Sequence, residues 1–174
     1  MNQEHLFVIV IPTFNRSKLI IRALKSIKKQ EYKNWKCVIV NDGSTDDTDT
    51  LVNEFIRQDD RYLYIQQENK GVNAARNAGI DFIEKSVDNC FYLFIDDDDY
   101  LAEDCLTKVS SLIDRKLPYS WFGLNCINIE TRQKVSRVKS YGANNYIKDL
   151  MFGRNWRGDI TSFIHSSIIG DLRF

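Results

Sequence analysis

Four consecutive carboxylates, Asp96 to Asp99, follow the aromatic and aliphatic run Phe91–Ile95 with no spacer, and Tyr100 and Leu101 come directly after them. An acidic run is ordinarily a solvated face, but one set between apolar segments is held against the body of a fold. On an extended chain, carboxylates two residues apart point the same way at roughly 6–7 Å, which pairs Asp96 with Asp98. Two like charges at ~4 Å repel by about 4 kcal/mol at an effective dielectric near ~20. A site that gathers several of them needs a cation or raised pKa values. Hard oxygen ligands favour Mg2+ or Mn2+, ions that are readily shared with a substrate phosphate.

Two further groups have chemical potential. In Asn41-Asp42-Gly43-Ser44 the glycine and serine serve a turn and a helix cap. Asp42 is left over, an acceptor-only side chain suited to an imide N–H such as that of uracil N3. Arg76 lies in Asn73-Ala-Ala-Arg-Asn-Ala-Gly79. On such a helix an arginine is usually a surface ion-pair partner, but its fork also matches a diphosphate if it points toward the acids. Phe14, after Pro12-Thr13, is either core or a stacking platform for a base. His5 and His165, the two histidines, read as structural or surface residues.

These residues need elements to position them. Leu6–Ile11, Trp35–Val40, Arg61–Ile65 and Phe91–Ile95 read as strands, the first two as continuous apolar runs buried on both faces. Between them lie helical stripes: Ile20, Ala23, Leu24 and Ile27, with Arg22, Lys25 and Lys28 turned to solvent, then Leu51 to Ile56, then Ala75 to Ile83. Ser44 with Asp47 three residues on predicts the start of the second helix. Leu101 to Ile113 predicts a fourth helix, ended near Pro118. Alternation with short connections implies right-handed crossovers and a mostly parallel sheet. Ligands of such sheets sit at the carboxyl ends of the strands, where Pro12–Arg16, Asn41–Ser44 and Asp96–Asp99 all fall. Beyond Tyr119 the rhythm loosens. Ser120–Ile129 predicts a fifth strand, Arg132–Lys139 an edge or hairpin strand, Asn145–Phe152 a short helix and Ile160–Ile169 a last strand.

The composition fits this reading. The 174 residues are 43% hydrophobic and 28% charged, with 24 basic and 24 acidic side chains. That length suits about one domain with a real core, and the charge balance excludes a nucleic-acid binder working through a strong positive field. Cys37, Cys90, Cys105 and Cys126 have no zinc spacing and read as core residues of a reducing compartment. The short N-terminal apolar run, cut by Pro12, is not a secretion signal, and no stretch reaches the ~18 apolar residues that span a bilayer. The expected location is cytoplasmic, with contact at the inner face of the membrane allowed.

Taken together, PTFNR at 12–16, VNDGSTDDT at 40–48, NKGVNAARNAGI at 69–80 and FIDDDD at 94–99 resemble the nucleotide-sugar half of family 2 glycosyltransferases. The resemblance implies a GT-A fold, a Rossmann-like α/β sheet flanked by helices. It divides the chain into a donor half, residues 1–117, and the start of an acceptor half, 118–174. It implies transfer of a sugar from a nucleotide diphosphate, usually UDP-linked, to a saccharide or lipid-linked acceptor, with inversion and a divalent cation. Pro12, Thr13, Phe14, Arg16 and Asp42 match positions around the base, and Arg76 matches a diphosphate contact. The aspartates match a D-x-D element. Asp96 and Asp97 are expected on the nucleotide side and Asp98 with Asp96 at the cation, with Asp99 as a further choice. The cation stabilises the departing diphosphate. The acidic base of the family follows the last strands, and Gly158–Phe174 is similar to the segment just before it. The base is therefore expected beyond Phe174, with Asp159 the weaker choice within the chain. Two other readings compete. One is an aspartyl phosphatase, which wants Thr where Tyr100 stands; the other is a nucleotide-sugar-binding module without turnover.

Overall fold

The computed structural model describes residues 4–115, 121–125, 127–128, 130–131, 133, 137–138, 156–157, 160–169 and 173–174. The first half alternates strand and helix: β1 (Leu6–Thr13), α1 (Ser17–Lys28), β2 (Trp35–Asn41), α2 (Thr48–Ile56), β3 (Tyr62–Gln66), α3 (Val72–Ile83), β4 (Cys90–Phe94) and α4 (Cys105–Ile113). There follow β5 (Trp121–Asn125), β6 (Arg137–Val138), β7 (Trp156–Arg157), β8 (Ile160–His165) and a four-residue helix, α5 (Ser166–Ile169). Six strands form one sheet in the order β3-β2-β1-β4-β8-β5, and β6 and β7 pair separately. The first four positions are parallel, and β8 runs against both β4 and β5.

The apolar runs form central strands because both of their faces are covered. Phe7, Ile9 and Ile11 of β1 pack into a cluster with Ile20, Leu24 and Ile27 of α1, Val52 of α2 and Leu106 and Val109 of α4. Val8 and Val10 point to the other face, against Ala75, Ile80 and Ile83 of α3. Gly79 allows α3 to sit close: a Cβ there would lie 2.5 Å from Val10 Cγ1 and 3.2 Å from Val40 Cγ2.

Several boundaries differ from the sequence reading, each for a local reason. β1 runs through Pro12 to Thr13. Its last bond toward β4 joins Ile95 N to the Val10 carbonyl at 3.3 Å, so Pro12, on the same edge two residues later, has no ladder bond to lose. Ser44 does not cap α2, which begins at Thr48; the Thr48 amide instead donates to Asp46 Oδ1 at 3.0 Å. Leu101 stays in the core but precedes α4, which starts at Cys105. The last strand stops at His165 because the Ser167 amide turns back to His165 Nδ1 at 3.2 Å, leaving Ser166–Ile169 helical. The predicted helix at Asn145–Phe152 lies outside the described residues, as do most of Arg132–Lys139 and the side chains of β5. Among the described residues no helix is long and apolar enough to cross a membrane.

Candidate functional site

The sheet order reverses direction at β1: β2 and β3 extend to one side, and β4 to the other. A crevice at the carboxyl ends of β1 and β4 is therefore the expected ligand position, and it is where the acidic run falls. Thr13, the last residue of β1, donates its hydroxyl to Asp97 Oδ2 at 2.7 Å. Arg16 Nη1 stands 3.7 Å from Asp98 Oδ2. Arg76, one turn inside α3, donates Nη2 to Asp96 Oδ1 at 2.6 Å. Thr13 at the end of β1, Arg16 in the loop before α1 and Arg76 in α3 thus each meet one of three of the four aspartates in the turn after β4.

The acidic run is not extended. The Asp99 amide donates to the Asp96 carbonyl at 3.1 Å, so 96–99 close a turn. The alternation that pairs Asp96 and Asp98 on one face ends with β4, and the turn presents the carboxylates in different directions. Asp96 faces α3, Asp97 faces β1 and Asp98 faces the loop before α1. Burial pushes the Asp97 carboxyl above its ordinary value; the Thr13 hydroxyl and Arg16 oppose the shift, and Asp98 and Asp96 add to it. Asp96 and Asp98 are each about half exposed.

Asp42 sits apart from this set, on the β3 side. It is only 4% exposed, and its Oδ1 accepts from Gln67 Nε2 at 2.6 Å and the Lys70 amide at 2.9 Å, while Oδ2 accepts from the Gly71 amide at 2.8 Å. A carboxylate offers about four acceptor positions, so most of its capacity fastens the loop into α3 and about one position remains. Gly43 is required beside it: its φ is +79° and a Cβ would lie 2.9 Å from the Asn69 amide. Phe14 resolves as surface, 44% exposed, which leaves its ring free to stack.

Asn15 and Asp46 join the two loops and escaped the sequence reading. Asn15 adopts φ +53°. Its Oδ1 accepts from the amides of Thr45 and Asp46 at 2.8 and 3.3 Å, and its own amide donates to Ser44 Oγ at 2.9 Å. Asp46 also accepts from the Ser17 amide at 3.2 Å. Burial would raise the Asp46 carboxyl, but donation by the hydroxyl and amide of Thr48 and by Ser17 prevails and holds it low. Beneath them, buried Asn41 donates to the Tyr64 hydroxyl at 2.7 Å, and that hydroxyl donates to Asp49 Oδ1 at 2.8 Å. The only sequence signal for Asn15 was its residue type, since Asn tolerates the left-handed region better than other side chains.

Arg76 is incompletely satisfied. Its Nε is buried with no hydrogen-bond partner among the described residues, and the guanidinium lies 5.3 Å from the centre of the Phe174 ring. Among the described residues no three carboxylate, imidazole or thiol groups converge to hold a cation by themselves. The hard oxygens of Asp96 and Asp98 nevertheless suit Mg2+ or Mn2+ where a substrate phosphate completes the ligand set. Asp159 lies outside the described residues.

A mostly parallel sheet with this strand order, flanked by helices and carrying acids and arginines at its switch point, defines a doubly wound α/β protein. The model for glycosyl transferase family 2 matches residues 8–170, and the chain belongs to that family. The sequence is 40% identical to glycosyltransferase GlyA of Streptococcus pneumoniae over 55% of this chain and 13% of that protein. It is 29% identical to the GalNAc(5)-diNAcBac-PP-undecaprenol beta-1,3-glucosyltransferase of Campylobacter jejuni over 95% of this chain and 53% of that one. Among solved structures, residues 1–349 of Staphylococcus aureus TarS in complex with UDP-GlcNAc superpose with a TM-score of 0.56 and 32% identity, covering 63% of this chain and 31% of TarS 1–349. The fold is therefore the GT-A α/β arrangement that the sequence motifs implied. The chain spans about half the length, or less, of these relatives.

Proposed function

We propose that this chain is the donor-binding portion of a glycosyltransferase that moves a sugar from a nucleotide diphosphate, UDP-linked, to a saccharide or lipid-linked acceptor, with inversion. The observation that carries the reading is the meeting of the acidic turn with Arg76 and Arg16 at the ends of β1 and β4. Carboxylates alone would repel a diphosphate, whereas carboxylates alternating with guanidinium forks accept one together with a cation. Support for uridine comes from TarS, solved with UDP-GlcNAc. Support for a lipid-linked acceptor comes from the Campylobacter enzyme, whose name contains an undecaprenol diphosphate carrier. A lipid-linked acceptor would be met at a membrane surface, in keeping with a proposed cytoplasmic location at its inner face.

In this reading Phe14 stacks on the base and Asp42 accepts its imide N–H through the position its internal bonds leave open. Thr13 orients Asp97 toward the ribose. Arg76 turns from Asp96 to the diphosphate, where its unpartnered Nε adds a donor and stabilises the leaving group. Asp98 and Asp96 hold Mn2+ or Mg2+, which when bound supplies Lewis-acid stabilisation of the departing diphosphate. Deprotonation of the acceptor hydroxyl is the task of an acidic base on the acceptor side.

Titration calorimetry and thermal melts of the chain with UDP, with and without Mn2+, test the reading. At about a hundredfold excess over Kd, selective binding stabilises the native state by about 2.7 kcal/mol, a rise of several degrees in Tm. Asp98→Ala should remove the metal-dependent part and leave the rest. Absence of nucleoside diphosphate binding with either cation overturns the site.

A further inference from the structure

Helix α1 faces the segment that follows the acidic turn with polar side chains spaced four residues apart: Arg22, Ser26 and, just past the helix, Gln30. Ser26 and Gln30 are buried, Gln30 completely. Arg22 Nη2 donates to the Asp98 carbonyl, and its guanidinium lies 5.3 Å from the centre of the Tyr100 ring. Ser26 Oγ donates to the Ala23 carbonyl at 2.7 Å and accepts from the Leu101 amide at 3.1 Å. Gln30 Nε2 donates to the Ala102 carbonyl at 2.7 Å, and its Oε1 accepts from the Leu106 amide at 3.1 Å. The Glu31 amide adds a bond to the Glu103 carbonyl at 3.0 Å.

Residues 98–104 leave β4 and reach α4 without a strand partner, so their backbone groups need partners from elsewhere. A buried amide left unpaired costs about 1–3 kcal/mol, and an apolar side chain at Gln30 would take the side-chain acceptor from the Leu106 amide, while the Ala102 carbonyl would keep its bond from the Cys105 amide at 3.0 Å. Helix α1 and Gln30 just past it therefore do more than fill the core: together they hold the backbone at positions 98, 101, 102 and 106.

We propose that Arg22, Ser26 and Gln30 are positioning residues for sugar-donor binding, Arg22 holding the backbone of the acidic turn and Ser26 and Gln30 anchoring the segment that follows it, so that Asp96, Asp97 and Asp98 meet a cation-bound diphosphate at fixed spacing. This rests on the reading of that turn given above. Arg22 acts through the Asp98 carbonyl; its own side chain need not touch the donor.

Two measurements on the full chain test this, with Arg22→Met to remove the bond while keeping the stem, and Arg22→Lys as the conservative variant. Amide hydrogen exchange without ligand reads the turn itself. Arg22→Met should speed exchange at Asp99 and Leu101 by about tenfold or more, with the amides of β1 and β2 unchanged and Arg22→Lys closer to the parent. Calorimetry with UDP then reads the consequence. Arg22→Met should lose about tenfold in affinity with Mn2+ present and little in EDTA, a split that general destabilisation would not give. Parental exchange at Asp99 and Leu101 in Arg22→Met overturns the proposal, as does equal loss of affinity in Mn2+ and EDTA. If the parent chain binds no UDP with either cation, the donor-site reading falls, while exchange still decides whether this stripe fixes the turn.

Discussion

Asp97 is the most informative single residue of the site, because its burial and its charge pull against each other. Its carboxyl is raised by burial despite the Thr13 hydroxyl bond. The folded state therefore binds its proton more tightly than the unfolded state, and the ionised form opposes folding. That opposition is absent below the unfolded value, near 3.8, and complete once the pH has risen through the folded one. Asp97→Asn, which keeps an acceptor for Thr13, should raise Tm at pH 7 and lose that advantage as the pH falls below about 4. The same variant should weaken UDP binding, so stability and affinity move in opposite directions. Asn15 behaves differently. Asn15→Ala loses the bonds to Thr45 and Asp46 in a left-handed conformation and should cost about 1–2 kcal/mol. Asn15→Gly should recover much of that stability without restoring nucleotide affinity, a contrast that melts and calorimetry resolve.

Among the elements, α3 carries the heaviest constraint. It brings Arg76 to the acidic turn only because its axis lies close to the sheet, and Gly79 is the residue that permits this. Gly79→Ala would push a methyl to within 2.5 Å of Val10 Cγ1. Overpacking of this kind costs about 1–3 kcal/mol, or several degrees in Tm for a chain of this size. The shift should also lengthen the Arg76–Asp96 pair, so UDP affinity should fall along with Tm. Rescue by Val10→Ala, which opens the space, would identify the cause as contact and not helix propensity. The clustering of polar partners on α1 shows the same principle: the helix Ser17–Lys28 buries Ile20, Leu24 and Ile27 on one side and holds the acidic turn with another.

At the scale of the whole molecule, the sheet has two ends with different chemistry. The carboxyl ends of its parallel strands gather the acids and arginines. The opposite end holds His165, whose Nδ1 accepts from the Ser167 amide and whose Nε2 faces Asn89 Oδ1 at 3.0 Å, an arrangement that selects the neutral Nε2–H tautomer. Burial, and then the nearby His5, hold its pKa below the ordinary 6.5. The stability supplied by neutral His165 is complete above that ordinary value and is lost as the pH falls below it and through the lower folded value. Denaturant midpoints should drop between pH 7.5 and pH 5.5, and His165→Gln should reduce that drop while leaving UDP binding unchanged. Neither Cys37 nor Cys90 contributes a comparable switch: Cys37 is buried with its pKa pushed far up, and burial raises Cys90 to about 11.

Much of this was legible in the sequence. The apolar runs of β1 and β2 could only be strands covered on both faces, the helical stripes between them fixed the crossovers, and parallel strands send functional residues to one end. Four ordered motifs then pointed to the family. The sequence could not show that Asp96–Asp99 fold into a turn, because the hydrogen bond that closes it replaces the alternation of an extended chain. Nor could it show that Ser44 abandons its helix for Asn15, that Asp42 spends most of its acceptors on the Lys70–Gly71 backbone, or that Arg22 and Gln30, spaced like surface and boundary residues, reach across to Asp98 and Ala102. Periodicity records which side of an element is buried, a local property of the chain. Which polar groups meet across tens of residues depends on where the elements end and how closely they pack, and only the tertiary structure decides that.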